Sequence, residues 1–178
     1  MDFTNLLTKF AVVEVNKLAG LLNGHMIAQM PFASTDDYVE NGNILFVSTD
    51  GVLVDGADAD AILTQPFLHY TEEMPVFMSG NEYFALEVED GICYPRAIAL
   101  YEGDEFTTNN IANLDTFADW DTNDEAWATL VSGAITLVDA YPVAKYNGPV
   151  FKAVKDILPA GQDAARLTLL TKNVVVGS

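Results

Sequence analysis

The sequence predicts a mainly β protein: two small β modules, each a hairpin-rich sandwich or barrel, with a short N-terminal helix or arm. Three observations carry that expectation. Short apolar runs are punctuated by Asp50-Gly51, Asp90-Gly91 and Asn147-Gly148, dipeptides that favour tight hairpin turns. Ten Phe, seven Tyr and two Trp, with many Val and Ile, supply the bulky and β-branched side chains that fit a pleated surface. Charge is also uneven. Residues 1–138 hold 23 Asp and Glu against Lys9, Lys17 and Arg96, a net of −20, whereas Lys145, Lys152, Lys155, Arg166 and Lys172 outnumber Asp139, Asp156 and Asp163 in the remainder, a net of +2.

Taken in order, the stretch Phe3 to Leu22 spaces Phe3, Leu7, Phe10, Leu18 and Leu21 as one face of a helix, with Gly24 as its stop. The β-branched Val12, Val13 and Val15 support a strand through Phe10 to Val15 instead, and both readings stand. As a function, this stretch reads as an amphipathic arm that docks on a neighbouring subunit; as plain structure, it reads as a core helix.

Ile44 to Val47 and Val52 to Val54 form a hairpin about Asp50-Gly51. Tyr83 to Val88 alternates through Phe84, Leu86 and Val88, turns at Asp90-Gly91 and returns through Ile92 and Ala97 to Tyr101. Pro95 cannot donate to a ladder, so that return is an edge or bulged strand. Thr107 to Thr122, with Asn109-Asn110 and Asn113, reads as a linker. Trp120 and Trp127 flank the acidic run Asp121 to Glu125, which reads as the start of a short helix reaching Leu130. Ala134 to Val138 is a strand. Beyond Pro142 and Asn147-Gly148, the segments Val150 to Ile157 and Ala165 to Leu170 form a further pair joined at Ala160-Gly161-Gln162. These readings divide the chain into an arm or helix (1–24), an acidic β module (25–110), a linker with a short helix (111–133) and a small C-terminal β module (134–178).

Composition narrows the function. At 178 residues and 50% apolar, the chain buries a core of its own. From Leu18 to Ala144 it carries 22 acidic side chains and one basic one, Arg96, so the surface repels nucleic acid and anionic lipid and favours cationic partners. No uninterrupted apolar run approaches the about 18 residues of a membrane span, and Met1-Asp2-Phe3 does not open a secretory signal. Cys93 is alone, which removes an intrachain disulfide framework and a Cys-based zinc cluster and suits synthesis in a reducing compartment.

No motif supplies chemistry. Asp119, Asp121, Asn123 and Glu125 alternate like the first half of a calcium loop, but Asp124 and Leu130 stand where Gly and Glu are required. Asp55, Asp58 and Asp60 follow no ligand spacing. Any two of 26 carboxylates meet the minimal need of a glycan hydrolase, so no pair is singled out. His25 and His69 belong to no metal or nucleophile motif and read as partly buried packing or hydrogen-bonding residues. Cys93, with only Arg96 as a basic neighbour, reads as an inert thiol on a strand. Gly20, Gly24, Gly42, Gly51 and Gly56 are isolated turn glycines rather than a phosphate loop. No catalytic, cofactor-binding or metal-binding residue is therefore assigned. Tyr94, Tyr101, Tyr141, Tyr146, Trp120 and Trp127 are amphipathic side chains of the kind enriched at interfaces, and equally the stuff of cores.

Two passages, YPRAIALYEGDEFTTNN at Tyr94 to Asn110 and YPVAKYNGPVFKAVKDILPAGQDAARLTLL at Tyr141 to Leu170, resemble segments of tailed-bacteriophage virion proteins. The second resembles the small β module of head decoration and head-fibre-type proteins, the first auxiliary proteins encoded near a major capsid gene. The resemblance implies a non-enzymatic subunit, made in the host cytoplasm and placed on the capsid exterior. Its partners would be the major capsid protein or other virion proteins, and it would be a homo-oligomer, with a trimer fitting local three-fold positions. A tail, connector or host-attachment component is the neighbouring alternative. A carboxylate-dependent glycan hydrolase and a calcium-binding adhesion module are alternatives of other classes.

Overall fold

The structure, a computed structural model, describes residues 11, 13–28, 30–33, 38–56, 61–70, 85–87, 92–117, 120–121, 124–142, 147–158 and 161–172. The chain is mainly β. Its elements run β1 (Val13–Lys17), α1 (Ala19–Leu22), β2 (Met26–Ile27), β3 (Phe32–Ala33), β4 (Tyr38–Glu40), β5 (Ile44–Ser48), β6 (Leu53–Asp55) and β7 (Ala61–His69). They continue with β8 (Ala85–Glu87), β9 (Ile92–Cys93), β10 (Ala97–Ala99), β11 (Glu105–Thr108), β12 (Glu125–Val131), β13 (Ala134–Val138), β14 (Val150–Ile157) and β15 (Asp163–Thr171). Among the described residues these form a six-stranded sheet in the order β1-β11-β15-β14-β12-β13, a seven-stranded sheet in the order β2-β10-β7-β5-β6-β3-β9, and a β4-β8 pair. Pairing is antiparallel apart from one parallel contact between Phe32 and Leu53.

The two large sheets share one apolar core. Phe106, Phe151, Leu167 and Leu169 from the six-stranded sheet meet Ile44, Phe46, Leu68 and Ile98 from the seven-stranded one, and Phe106 and Phe151 pack edge to face at 6.0 Å. On its other face the seven-stranded sheet buries Leu45, Leu53, Phe67, Cys93 and Ala97 together with Val39 of β4. That sheet is thus covered on both sides, which is why β5 reads as an unbroken apolar run rather than an alternation. β14 and β15 alternate, with Phe151, Ala153, Leu167 and Leu169 inward.

Several elements lie where the sequence places them. The β5-β6 hairpin turns through Thr49 and Asp50, with Gly51 N–H donating to Ser48 C=O at 3.0 Å and Gly51 at φ 78°, a four-residue turn closed by a left-handed glycine. β13 and β14 have the expected bounds, and β14 pairs with β15 along its length.

Others differ. In the N-terminal stretch, residues 13–17 are strand β1 built into the six-stranded sheet against β11, as the strand reading has it, and among the described residues helix is confined to the four residues of α1; positions 1–10 and 12 lie outside the described residues. The short helix expected to reach Leu130 is strand β12: Asp124 does not cap a helix but closes a turn, its N–H donating to Asp121 C=O, its C=O accepting from Trp120 Nε1 at 3.0 Å. Glu125–Val131 then alternates, Ala126 and Ala128 inward. Among the described residues, the hairpin expected between 83–88 and 92–101 is not made. β8 pairs with β4, β9 with β3, and β10 with β2 and β7, the chain breaking at Tyr94-Pro95-Arg96; Asp90-Gly91 lie outside the described residues. Pro95 lies in the break between β9 and β10 rather than within a strand; β9 ends the sheet, whereas β10 is flanked by β2 and β7.

The boundaries at 110 and 134 do not follow sheet membership, because the six-stranded sheet draws on residues 13–17, 105–108, 125–138 and 150–171. The expected linker is packed. Ile111 and Trp120 are buried in the shared core. Asn110 Nδ2 donates to Asn41 C=O and Asn43 Oδ1, tying the two sheets at their junction. At that junction Gly42 (φ 92°) lies so close to Thr108 that an added Cβ would sit 2.7 Å from its Oγ1.

Candidate interaction surface

With one face of the six-stranded sheet in the core, the other is a broad lattice of side chains set by register. One row crosses all six strands: Val138, Trp127, Lys152, Thr168, Glu105 and Lys17. The next holds Glu125, Val154, Arg166, Thr107 and Glu14. Charges alternate in sign between neighbours. Lys152 bonds Glu125, Arg166 Nη1 lies 4.0 Å from Asp156, and Thr168 Oγ1 donates to Glu105 at 3.3 Å. Four carboxylates (Glu14, Glu105, Glu125, Asp156) face three cations (Lys17, Lys152, Arg166), so this face is nearly neutral on a chain of net charge −18. Trp127 stands among them, edge to face with Tyr141 at 5.1 Å.

The open side of this sheet at β13 is closed by a side chain. Asn113 accepts from Leu137 N–H at 2.8 Å and donates to Leu137 C=O at 3.0 Å, while Ala112 N–H donates to Ile135 C=O. The amide imitates one residue of a further strand and removes the unpaired edge that invites pairing with other chains.

A second constellation sits at the α1–β2 corner. His25 Nδ1 bonds Tyr101 Oη; Lys172 Nζ lies 4.3 Å from the Tyr101 ring centroid and 2.7 Å from Gln65 Oε1. The corner is held from below: buried Asp104 accepts from Ala19 N–H and Tyr101 N–H through its two oxygens, both at 2.8 Å.

The candidates taken from sequence do not converge on a reactive centre. Asp124 accepts from Asp121 N–H and Glu125 turns to Lys152, away from one another; Asp119, Asn123, Asp58 and Asp60 lie outside the described residues. Among the described residues no group of three or more His, Cys, Asp or Glu gathers to hold a metal. His69 is fully buried, and desolvation depresses its pKa to about 4 against a hydrogen bond from Nδ1–H to Glu40 C=O at 2.9 Å. His25, expected to be partly buried, is exposed. Burial pushes the Cys93 thiol up to about 11, so the thiolate form is disfavoured. Of the aromatics, Trp120 joins the core, Trp127, Tyr94 and Tyr141 reach solvent, and Tyr146 lies outside the described residues.

Compared with protein-family models, with curated proteins and with solved structures, the chain matches none. Function therefore rests on the surface itself. Sequence reasoning singled out the near-neutral C-terminal segment but not Lys152 and Arg166 as face residues. The period of two in β14 and β15 carries that signal.

Proposed function

We propose that the protein is a non-enzymatic structural subunit of a bacteriophage virion that decorates the major capsid shell from outside, docking through the outer face of its six-stranded sheet. The observation that supports this is the segregation of charge: a broad, nearly neutral face with Trp127 and Val154 among paired ions, on a chain otherwise strongly acidic. A face of that kind desolvates cheaply compared with an unpaired acidic one, and aromatic anchors supply its contact area. Many identical copies on one lattice make modest individual contacts effective. The acidic remainder would then point away from the shell. The resemblance at residues 94–110 and 141–170 to virion proteins agrees with this reading.

Deleting residues 139–178 would not test it, because Phe151, Leu167 and Leu169 belong to the shared core. Surface changes would. Purified protein is co-sedimented with empty heads lacking it, beside a Lys152→Glu/Arg166→Glu double variant of unchanged melting temperature. Saturable binding at repeated lattice positions, weakened about tenfold or more in the variant, is the expected result. Binding at a single vertex would transfer the protein to the connector or tail, and no binding at all would overturn a place on the virion.

A further inference from the structure

From Leu18 to Thr35 the sequence contains no Asp, Glu, Lys or Arg, a gap of eighteen positions in a chain with 26 carboxylates. The fold turns residues 18–28 of it into a corner at the β2 end of the seven-stranded sheet. Leu18 is buried as its anchor, and Gly20 presses on β10 so closely that a Cβ there would lie 2.2 Å from Ala99 C=O. His25 N–H donates to Gly20 C=O and Ala99 N–H to His25 C=O. Beside the uncharged Asn23 and His25, the corner shows large apolar side chains to solvent: Leu22 is 83% exposed, Met26 42% and Leu21 45%. Scattered surface apolar residues need no explanation, but two leucines and a methionine within six residues do.

Beside them, β2 is the terminal strand of the seven-stranded sheet. Ala99 N–H donates to His25 C=O, and Ile98 stands opposite Met26, so strand alternation turns the Met26 N–H and C=O away from β10 toward the open edge. Among the described residues nothing pairs with that edge.

We infer that this corner is the contact through which two copies of the chain associate, with a two-fold axis at Met26 and the two β2 strands antiparallel. The arrangement is self-complementary, since paired Met26 residues exchange both of their backbone hydrogen bonds and Leu21 and Leu22 of each copy cover the other's Met26. Charge favours a second copy as the occupant. Two chains of −18 repel wherever carboxylates face one another, and this is the stretch that has none. At its rim Lys172 has no carboxylate within ion-pair distance among the described residues, which leaves its charge to meet the acidic surface of the opposing copy. The inference stands independently of what the six-stranded sheet binds.

Sedimentation velocity over a hundredfold concentration range tests it in solution, with no virion present. The wild-type chain is expected to dimerise, more strongly as salt screens the repulsion, and Leu22→Asp is expected to remain monomeric at every concentration. Ile92→Asp, on β9 at the opposite end of the same sheet, is expected to dimerise as wild type does. Met26→Cys is expected to give an interchain disulfide under mild oxidation, because residues facing across such a pair lie within bridging distance. A wild-type chain that stays monomeric throughout, a Leu22→Asp variant that still dimerises, or loss of dimer in Ile92→Asp alone would each overturn the assignment.

Discussion

The seven-stranded sheet buries Ile44, Leu45 and Phe46 in succession, one face against the six-stranded sheet and the other against β4, whereas the six-stranded sheet alternates Phe151 and Ala153 inward with Lys152 and Val154 outward. The first is a structural partition with contact left only at its ends, β2 and β9. The second turns its other face, with Lys152, Val154 and Arg166 half-exposed, away from the shared core and closes its β13 edge with Asn113. Function on a fold of this kind is expected on the wet face of one sheet and the ends of the other, and changes to the two sheets should be felt in different ways.

The largest difference should come from the core the sheets share. Phe151→Ala empties a fully buried site packed on Phe106 and is expected to lower stability by about 3–5 kcal/mol, with both sheets melting in one transition. Leu53→Ala, on the far face of the seven-stranded sheet, should cost about 2–4 kcal/mol and raise amide exchange in β5 and β6 before β14 and β15. Identical exchange patterns in the two variants would show that the sheets do not behave as distinct layers.

Acid should act on the partition first. His69 stays neutral in the folded chain down to about pH 4, while the unfolded chain takes up its proton near the ordinary value of 6.5. Its depressed pKa means that the full stability is present above pH 6.5 and is lost as the pH falls toward 4, to an extent of roughly 3 kcal/mol. Between pH 6.5 and 5 most carboxylates remain ionised, so the loss in that interval belongs to histidine. Urea midpoints should fall there in the wild type and hold level in His69→Gln; parallel slopes in both chains would remove His69 from the account.

How much of this was legible follows from which faces are wet. β13, β14 and most of β15 alternate, and local pattern sufficed for them; the Asp50-Gly51 turn announced itself by composition. β7 escaped because Pro66 interrupts it, and the structure accommodates that proline at an irregularity where the register against β5 shifts between Leu45 and Val47. The acidic approach to β12 suggests a helix, although Ser132-Gly133, with φ 51° and 83°, is a two-residue turn signal that argues for the β12-β13 hairpin. The candidate face was half visible. Lys152 and Arg166 alternate along their own strands, but the lattice also needs β1 to meet β11 across about ninety residues, and no local pattern encodes that pairing.

A smaller effect should follow loss of the edge guard. Asn113→Ala leaves Leu137 N–H and C=O without their side-chain partners and is expected to cost about 1–2 kcal/mol. The Leu137 amide should then exchange faster while amides of β5 stay protected. If exchange at Leu137 does not change, the Asn113 amide is not what closes that edge.

The smallest expected effect is also the most useful one. Lys152→Ala removes the partner of Glu125 on the outer face, where the two side chains are 37% and 65% exposed. An ion pair that wet is worth about 0–1 kcal/mol and weakens with salt, so thermal stability should barely move. The row it belongs to, from Val138 to Lys17, loses its central cation all the same, and the face shifts from nearly neutral to acidic. A stable, folded Lys152→Ala chain should therefore bind its partner more weakly, with the deficit growing as ionic strength falls because the exposed Glu125 and half-buried Glu105 are then least screened. If binding is unchanged at low salt, the outer face does not make the contact, and the acidic surface becomes the one to test.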